Sequence, residues 1–230
     1  MAAVPARKRH RDRTGEKPRD SSVIALTNVP LRNIEFLAAA DAVADLPLET
    51  RAEVAFLGRS NSGKSSAINA VTGRRRIARV SRTPGRTRQI NLFTVGPDAA
   101  LVDLPGYGFA RVPGATRDRW DRMISDYLHL RQQLVGLVLV MDSRHPLTPL
   151  DRQLLQFIRP TGKPLQVLLT KADKLTRSES SRVLARTVTE LRRLGSDASV
   201  RLFSSLTLQG TQEAAELIAE WLGANRARRR

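Results

Sequence analysis

The chain has 230 residues, 41% of them hydrophobic, and a formal net charge of +17. One domain with appended tails suits this length better than two, and so large a basic surplus favours polyanionic partners, whose phosphates release counterions when neutralised. The absence of cysteine excludes disulfides, thiolate zinc sites and a cysteine nucleophile, and is compatible with a reducing, cytoplasmic setting.

Residues 1–22 carry Arg7, Lys8, Arg9, Arg11, Arg13, Lys17 and Arg19 among few apolar residues and read as a basic tail, disordered when alone. No apolar segment of a secretory signal follows this basic start. Residues 23–225 read as a single domain and 226–230 as a second basic tail. Within the domain, strand-length apolar runs at 53–58, 90–95, 100–104, 134–142, 164–170 and 199–205 alternate with helix-period segments. The helices are expected at 64–72, 116–131, 149–159, 178–194 and 211–224. The longest apolar run, LVGLVLVM at 134–141, is interrupted by Gly136 and has the length of a buried strand, not of a membrane span. Its lack of alternation suits a central strand covered on both faces. The succession predicts an α/β, three-layer fold: a mostly parallel sheet of about six strands with helices on both faces. In such sheets ligands bind beyond the carboxyl ends of the strands.

At the end of the first of these strands, Gly58, Arg59, Ser60, Asn61, Ser62, Gly63, Lys64 and Ser65 fit G-x-x-x-x-G-K-[ST] and open a helix, the context of a phosphate-binding P-loop. A triphosphate needs several backbone N–H groups converging on it. Glycine permits the required dihedrals and close approach, and the helix contributes its positive end. Lys64 is expected to reach the β- and γ-phosphates, with the Ser65 hydroxyl on Mg²⁺. A later strand ends in Asp103, Leu104, Pro105 and Gly106; the carboxylate there can hold Mg²⁺ through water, and the Gly106 N–H can approach a γ-phosphate. Further on, Thr170, Lys171, Ala172 and Asp173 close another apolar strand. Asp173 can accept from guanine N1–H and the exocyclic amine. Adenine, an acceptor at N1, would leave the carboxylate unpaired at a cost of about 1–3 kcal/mol. Lys171 can lie along the base plane, and the backbone of Phe203, Ser204 and Ser205 can contact guanine O6.

With these motifs in this order, the sequence resembles the TRAFAC P-loop GTPases, and among them the EngB-type ribosome-biogenesis GTP-binding proteins. The resemblance rests on EVAFLGRSNSGKSSAINA, SRTPGRTRQINLF, LVDLPGYGFARV, DSRHPLTPLDRQLL, LLTKADKL and FSSLTLQG, together spanning roughly 53–210. It implies the P-loop NTPase fold, GTP and GDP as ligands, Mg²⁺ as cofactor, slow GTP hydrolysis, and a role in large-subunit assembly linked to cell division and septation. It also implies a cytoplasmic monomer whose partner is the large ribosomal subunit or its precursor, with no membrane contact. In the family, SRTPGRTRQ is the first switch loop, so Gly85, Arg86, Thr87, Arg88 and Gln89 become nucleotide-contact candidates and Thr87 the threonine completing the Mg²⁺ shell. By chemistry alone Thr83, Thr87 or Thr94 could serve, Thr83 least well because Pro84 restricts it. The family pattern usually has glutamine directly after GRT, whereas here Arg88 precedes Gln89. Lys64, Thr87 and Gly106 are the catalytic candidates; Ser65, Thr87 and Asp103 are the metal candidates. Asn61 resembles the asparagine with which related GTPases hold K⁺.

Seven arginines and no acid lie between 74 and 88. A loop ordered only by nucleotide would present this basic face in one state, for contact with ribosomal RNA. Where many GTPases carry a water-orienting glutamine, this chain has Tyr107, which predicts low intrinsic turnover. Two other readings remain at this stage: a ribosome-binding module in which hydrolysis is incidental, and an ATP-using small-molecule kinase, against which TKAD argues.

Overall fold

The computed structural model describes residues 31–78, 89–108 and 114–227. Seven strands form one sheet: β1 (Ile34–Ala40), β2 (Ala52–Gly58), β3 (Ile90–Val95), β4 (Ala99–Asp103), β5 (Leu134–Asp142), β6 (Leu165–Thr170) and β7 (Ser199–Leu202). Their spatial order is β1-β3-β4-β2-β5-β6-β7. All pairings from β4 to β7 are parallel, while β1–β3 and β3–β4 are antiparallel. Among the described residues five α-helices accompany the sheet: α1 (Lys64–Val71), α2 (Gly114–Leu130), α3 (Pro149–Ile158), α4 (Arg177–Arg193) and α5 (Thr211–Ala227).

The mostly parallel sheet is as expected, with one strand more. Strand β1 lies at the edge, with Phe36 and Leu37 exposed and a register shift between Phe36 and Ala38. Its sequence IEFLAAA lacks clean alternation because so little of it is buried; an edge strand needs none. Phe36 meets Phe93 edge-on, with ring centroids 5.9 Å apart. Helix α5 runs three residues beyond the expected end, to Ala227. Both the N-terminal tail, residues 1–22, and the loop positions Gly85, Arg86, Thr87 and Arg88 fall outside the described residues, as do Thr83 and the last three arginines.

Alternation along the strands divides the core between the two faces. Ala55, Leu57, Leu137, Leu139 and Met141 pack with Met123 and Tyr127 of α2, Leu155 and Ile158 of α3, and Leu191 of α4. Val54, Phe56, Val138 and Val140 face the other way, against Ala67 and Ile68 of α1 and Ile218 and Leu222 of α5. Burying both faces accounts for the near-continuous apolar reading of β2 and β5. Two helices start on capping boxes: Thr148 with Asp151 at α3, where Pro149 occupies the first turn, and Thr176 with Glu179 at α4. Such reciprocal bonds satisfy N–H groups that the helix itself leaves free. Among the described residues no helix is long and apolar enough to cross a membrane.

At the amino end of the sheet, Glu53 is fully buried and Arg131 nearly so. Arg131 donates to the Glu53 carboxylate from Nη2 at 2.7 Å and from Nε at 3.0 Å. The Tyr127 hydroxyl donates to it at 2.7 Å, and the Thr50 hydroxyl is a fourth donor. Arg131 Nη2 also reaches the Pro47 carbonyl at 2.5 Å, fastening the segment that leads into β2.

Candidate functional site

The described candidate residues, Thr94 excepted, gather at the opposite, carboxyl end. The chain leaves β2 at Gly58, loops through 59–62 and enters α1 at Gly63, whose φ of 98° is the left-handed conformation glycine adopts without penalty. A Cβ at Gly58 would lie 2.5 Å from Ser62 Oγ and 2.8 Å from the Val140 carbonyl oxygen, so the turn closes only around glycine. Asn61 also has positive φ, 63°, which asparagine tolerates better than most residues. Ser62 Oγ is buried without a hydrogen-bond partner among the described residues.

Lys64 is buried on the first turn of α1, and its ammonium donates to the carboxylate of Asp103 at the end of β4. A lysine at the start of α1 and an aspartate at the end of β4, held face to face, are what phosphate and a hard divalent cation would respectively engage. Ser65 follows on the same turn, half-buried. Leu104 and Pro105 are buried, and Gly106 sits against the cradle: a Cβ on it would lie 3.3 Å from the Ser60 backbone. Ser60 N–H donates to the Tyr107 carbonyl at 3.1 Å, and Arg59 and Tyr107 form an isolated parallel bridge. The turn after β4 is thus attached to the cradle through backbone.

Strand β6 supplies the second half of the site. The Thr170 hydroxyl lies 2.5 Å from the Ser62 carbonyl oxygen and 3.0 Å from that of Met141, and shares its hydrogen between them. Threonine here ties the cradle to β5 and β6. Lys171, in the left-handed region at φ 58°, donates to the Asn61 carbonyl and to Asp142 Oδ2, both at 2.8 Å. Ala172 is buried and its N–H donates to the Phe203 carbonyl at 3.1 Å. That bond brings the end of β6 against Phe203, Ser204 and Ser205. The Ser204 hydroxyl donates to Asp173 Oδ1 at 2.7 Å and accepts from the N–H groups of Leu206 and Thr207. The donated hydrogen bond from Ser204 holds the Asp173 carboxyl below the usual carboxylate range, with Lys174 adding to it. An ionised, pre-oriented carboxylate at the rim of the site can accept two N–H donors from one edge of a base.

Some contacts were not foreseen from sequence. Asp142, at the end of β5, accepts from Arg144 through Nε at 2.9 Å and Nη2 at 2.6 Å as well as from Lys171. Burial would raise its carboxyl, but these hydrogen bonds outweigh burial and hold it far below the usual range. The rule that chemistry gathers at strand ends could have found it. Tyr107, met as the residue in place of glutamine, is buried and donates to Asp151 Oδ1 at 2.8 Å. Burial first and the Asp151 carboxylate second push its hydroxyl well above the ordinary tyrosine range. Arg59 Nε approaches the same Asp151 oxygen to 3.3 Å, while its Nη2 donates to the His145 carbonyl at 3.1 Å. Of the histidine, then, it is the backbone that serves. No local sequence pattern announces this network.

Gln89 is exposed at the start of β3. Thr94, one alternative for the switch threonine, is excluded by its place: it pairs with Ala100 near the amino end of β4 and its hydroxyl donates to the Glu35 carbonyl at 3.4 Å.

The family model described as "50S ribosome-binding GTPase" matches residues 53–171. The chain is 51% identical over 193 residues to a probable GTP-binding protein EngB of Methylobacillus flagellatus, covering 84% of this chain and 93% of that one. In structure it is similar to a crystallised probable GTP-binding protein EngB, with a TM-score of 0.60 and 24% identity over 78% of this chain and all of the other. It is also similar to Era in complex with MgGDPNP and nucleotides 1506–1542 of 16S ribosomal RNA, with a TM-score of 0.59 and 20% identity over 74% of this chain and 56% of Era. On the fold, the cradle and these relatives, the chain belongs to the EngB family of GTP-binding proteins, P-loop GTPases that hydrolyse GTP.

Proposed function

We propose that this GTPase is a slow nucleotide switch acting in assembly of the large ribosomal subunit. The observation that carries the guanine reading is Asp173, held ionised by Ser204 and joined through its neighbour Lys171 to the cradle loop at Asn61. In this reading the backbone of 58–65 and Lys64 hold the phosphates. Asp173 selects guanine, Lys171 lies along the base and the backbone of 203–205 faces O6. Gly106 N–H and Thr87 sense the γ-phosphate, with Gly85, Arg86, Arg88, Gln89, Leu104, Pro105, Thr170 and Ala172 framing the ligand.

The residues present suit Mg²⁺. The oxygen donors Ser65 and Asp103 stand on neighbouring elements, and Asp103 is already paired with the cation of Lys64; hard oxygen ligands are what Mg²⁺ takes. Ser65 and Thr87 would hold it directly and Asp103 through water, and when bound it neutralises charge on the phosphates. Lys64 and the cradle N–H groups stabilise the charge that develops as water attacks, since phosphoryl transfer depends chiefly on positioning and charge. Turnover is slow because Tyr107 spends its hydroxyl on Asp151 within the core and orients no water. Asn61 is the residue for K⁺; equal hydrolysis rates in potassium and sodium buffers would remove it from that role.

The ribosomal reading draws on the family description, on the net charge of +17 and on the arginines between 74 and 88. Of these, Arg74, Arg75 and Arg76 are exposed. The test is cosedimentation with ribosomal subunits in GDP, GTP and a non-hydrolysable analogue at several salt concentrations. Retention on large subunits with the analogue, weakening with salt and with Arg74–Arg76 and Arg79 changed to alanine, is expected. Equal, nucleotide-independent retention would reject the switch. Should a hydrolysis-deficient variant still support assembly, nucleotide would be a regulatory ligand and hydrolysis incidental.

A further inference from the structure

A separate cavity of about 210 Å³ opens between α3, α4 and the loop after β5. Arg144, Arg152, Arg182 and Arg186 line it, against one carboxylate, Glu179. That carboxylate is turned to its own helix start, where the Thr176 N–H donates to it at 2.7 Å and the Thr176 hydroxyl at 2.8 Å. Arg144 is paired with Asp142, and Arg152 with Glu190 at 3.1 Å. Arg182 and Arg186 are in no ion pair among the described residues; Arg182 lies near Glu179. The independent observation is Ser143, which also lines the cavity. It is 1% exposed, and its hydroxyl has no hydrogen-bond partner among the described residues. Buried hydroxyls are nearly always bonded, so one left idle in a cavity lined by four arginines and a single carboxylate points to an acceptor that belongs there.

We propose that this cavity is an anion site for a phosphate group, gripped by Arg182 and Arg186 and receiving a hydrogen bond from Ser143. The planar guanidinium fork matches phosphate oxygens. The volume is below the roughly 300–1,000 Å³ of pockets that enclose whole organic ligands, so a phosphate group enters and a nucleoside does not. The site has a route to the nucleotide. Arg144 shares its wall and holds Asp142, which also accepts from Lys171, which in turn donates to the Asn61 carbonyl. A phosphate drawing on Arg144 alters that chain of contacts, and any coupling is reciprocal. Free phosphate and the phosphate of an RNA backbone share the required chemistry.

The test uses the full chain saturated with GDP and Mg²⁺, so that the cradle is filled, in chloride buffer. It is titrated calorimetrically with inorganic phosphate and, separately, with a short single-stranded RNA. One saturable site is expected, weakened about tenfold or more by Arg182→Ala with Arg186→Ala and several-fold by Ser143→Ala, with GDP affinity unchanged in all three substitutions. Saturation by phosphate alone identifies a free anion as the ligand. Saturation by RNA alone, with the same losses, identifies a backbone phosphate. Saturable binding of neither probe, or binding indifferent to these substitutions, overturns the proposal. Ser143→Ala only removes an unpaired hydroxyl, so a folding defect in the arginine variant would not shelter the site from refutation.

Discussion

The two ends of the sheet bury charge in opposite ways. At the amino end one carboxylate, Glu53, is met by Arg131, Tyr127 and Thr50, and each contact is internal to the fold. At the carboxyl end three carboxylates stand at or just beyond successive strand ends, each held by partners that a ligand could recruit: Asp103 by Lys64, Asp142 by Lys171 and Arg144, Asp173 by Ser204. The first arrangement uses its polar groups to fix a shape. The second keeps its carboxylates oriented by groups that a ligand can also engage, and the hydrogen bonds to Asp142 and Asp173 hold those two below the usual carboxylate range. Burial of charge is therefore no guide to function by itself; whether the partners are exchangeable is.

Breaking the amino-end cluster tests its structural half and carries the largest expected effect. Glu53→Ala leaves Arg131 buried without its carboxylate, and loss of one partner of a buried pair costs about 3–5 kcal/mol. Chemical denaturation should show that loss, while GDP affinity well below the unfolding transition stays near that of the parent chain. A comparable loss of nucleotide affinity at intact stability would mean the two ends are not separate.

The carboxyl end is probed by Asp173→Asn. Guanine nucleotide affinity should fall by the cost of an unpaired or mismatched buried donor, about 1–3 kcal/mol or roughly 5- to 150-fold, with little change in stability. The pH dependence sharpens this. Because the Asp173 carboxyl is held below its usual range, the ionised form persists as pH falls through about 4. GDP affinity should therefore stay level to below that point and decline only as pH passes the lowered value. Ser204→Ala, which removes the main cause of the lowering, should move the decline to higher pH. Fluorescence titration with a labelled GDP across pH reads both.

The smallest effect is expected at Tyr107, which lies between the two behaviours: it follows the Gly106 turn, yet its hydroxyl is spent inside the core. Tyr107→Phe should cost about 0.5–1.5 kcal/mol of stability, the net worth of one hydrogen bond, and leave intrinsic GTP turnover within about twofold. A large change in turnover would place the phenol in the reaction.

The legibility of the molecule from sequence follows the same divide. The cradle, the Asp103–Gly106 turn and the Thr170–Asp173 segment are short contiguous patterns at strand ends, where spacing alone dictates which groups converge. The parallel core was legible because strands covered on both faces read as unbroken apolar runs. Strand β1 was not, because an exposed edge with three alanines imposes no alternation. Asp151 and the Glu53–Arg131 pair were hidden for another reason: their bonds to Tyr107, Arg59 and each other join residues distant in sequence, and no local pattern records a pairing made only by the folded sheet. Asp142 stands where the strand-end rule points and takes Arg144 from two residues on; only its bond from Lys171 is of the hidden kind. Thr170 was read as a mark of the family, and its bonds to Ser62 and Met141 give it a physical task.

The most direct test of the account is displacement of labelled GDP from the purified chain by unlabelled GTP and by ATP. GTP should displace it at concentrations comparable to GDP, and ATP should fail at many times that concentration, because adenine offers Asp173 an acceptor where guanine offers a donor. Equal displacement by both purines would contradict the claim that Asp173 selects the base.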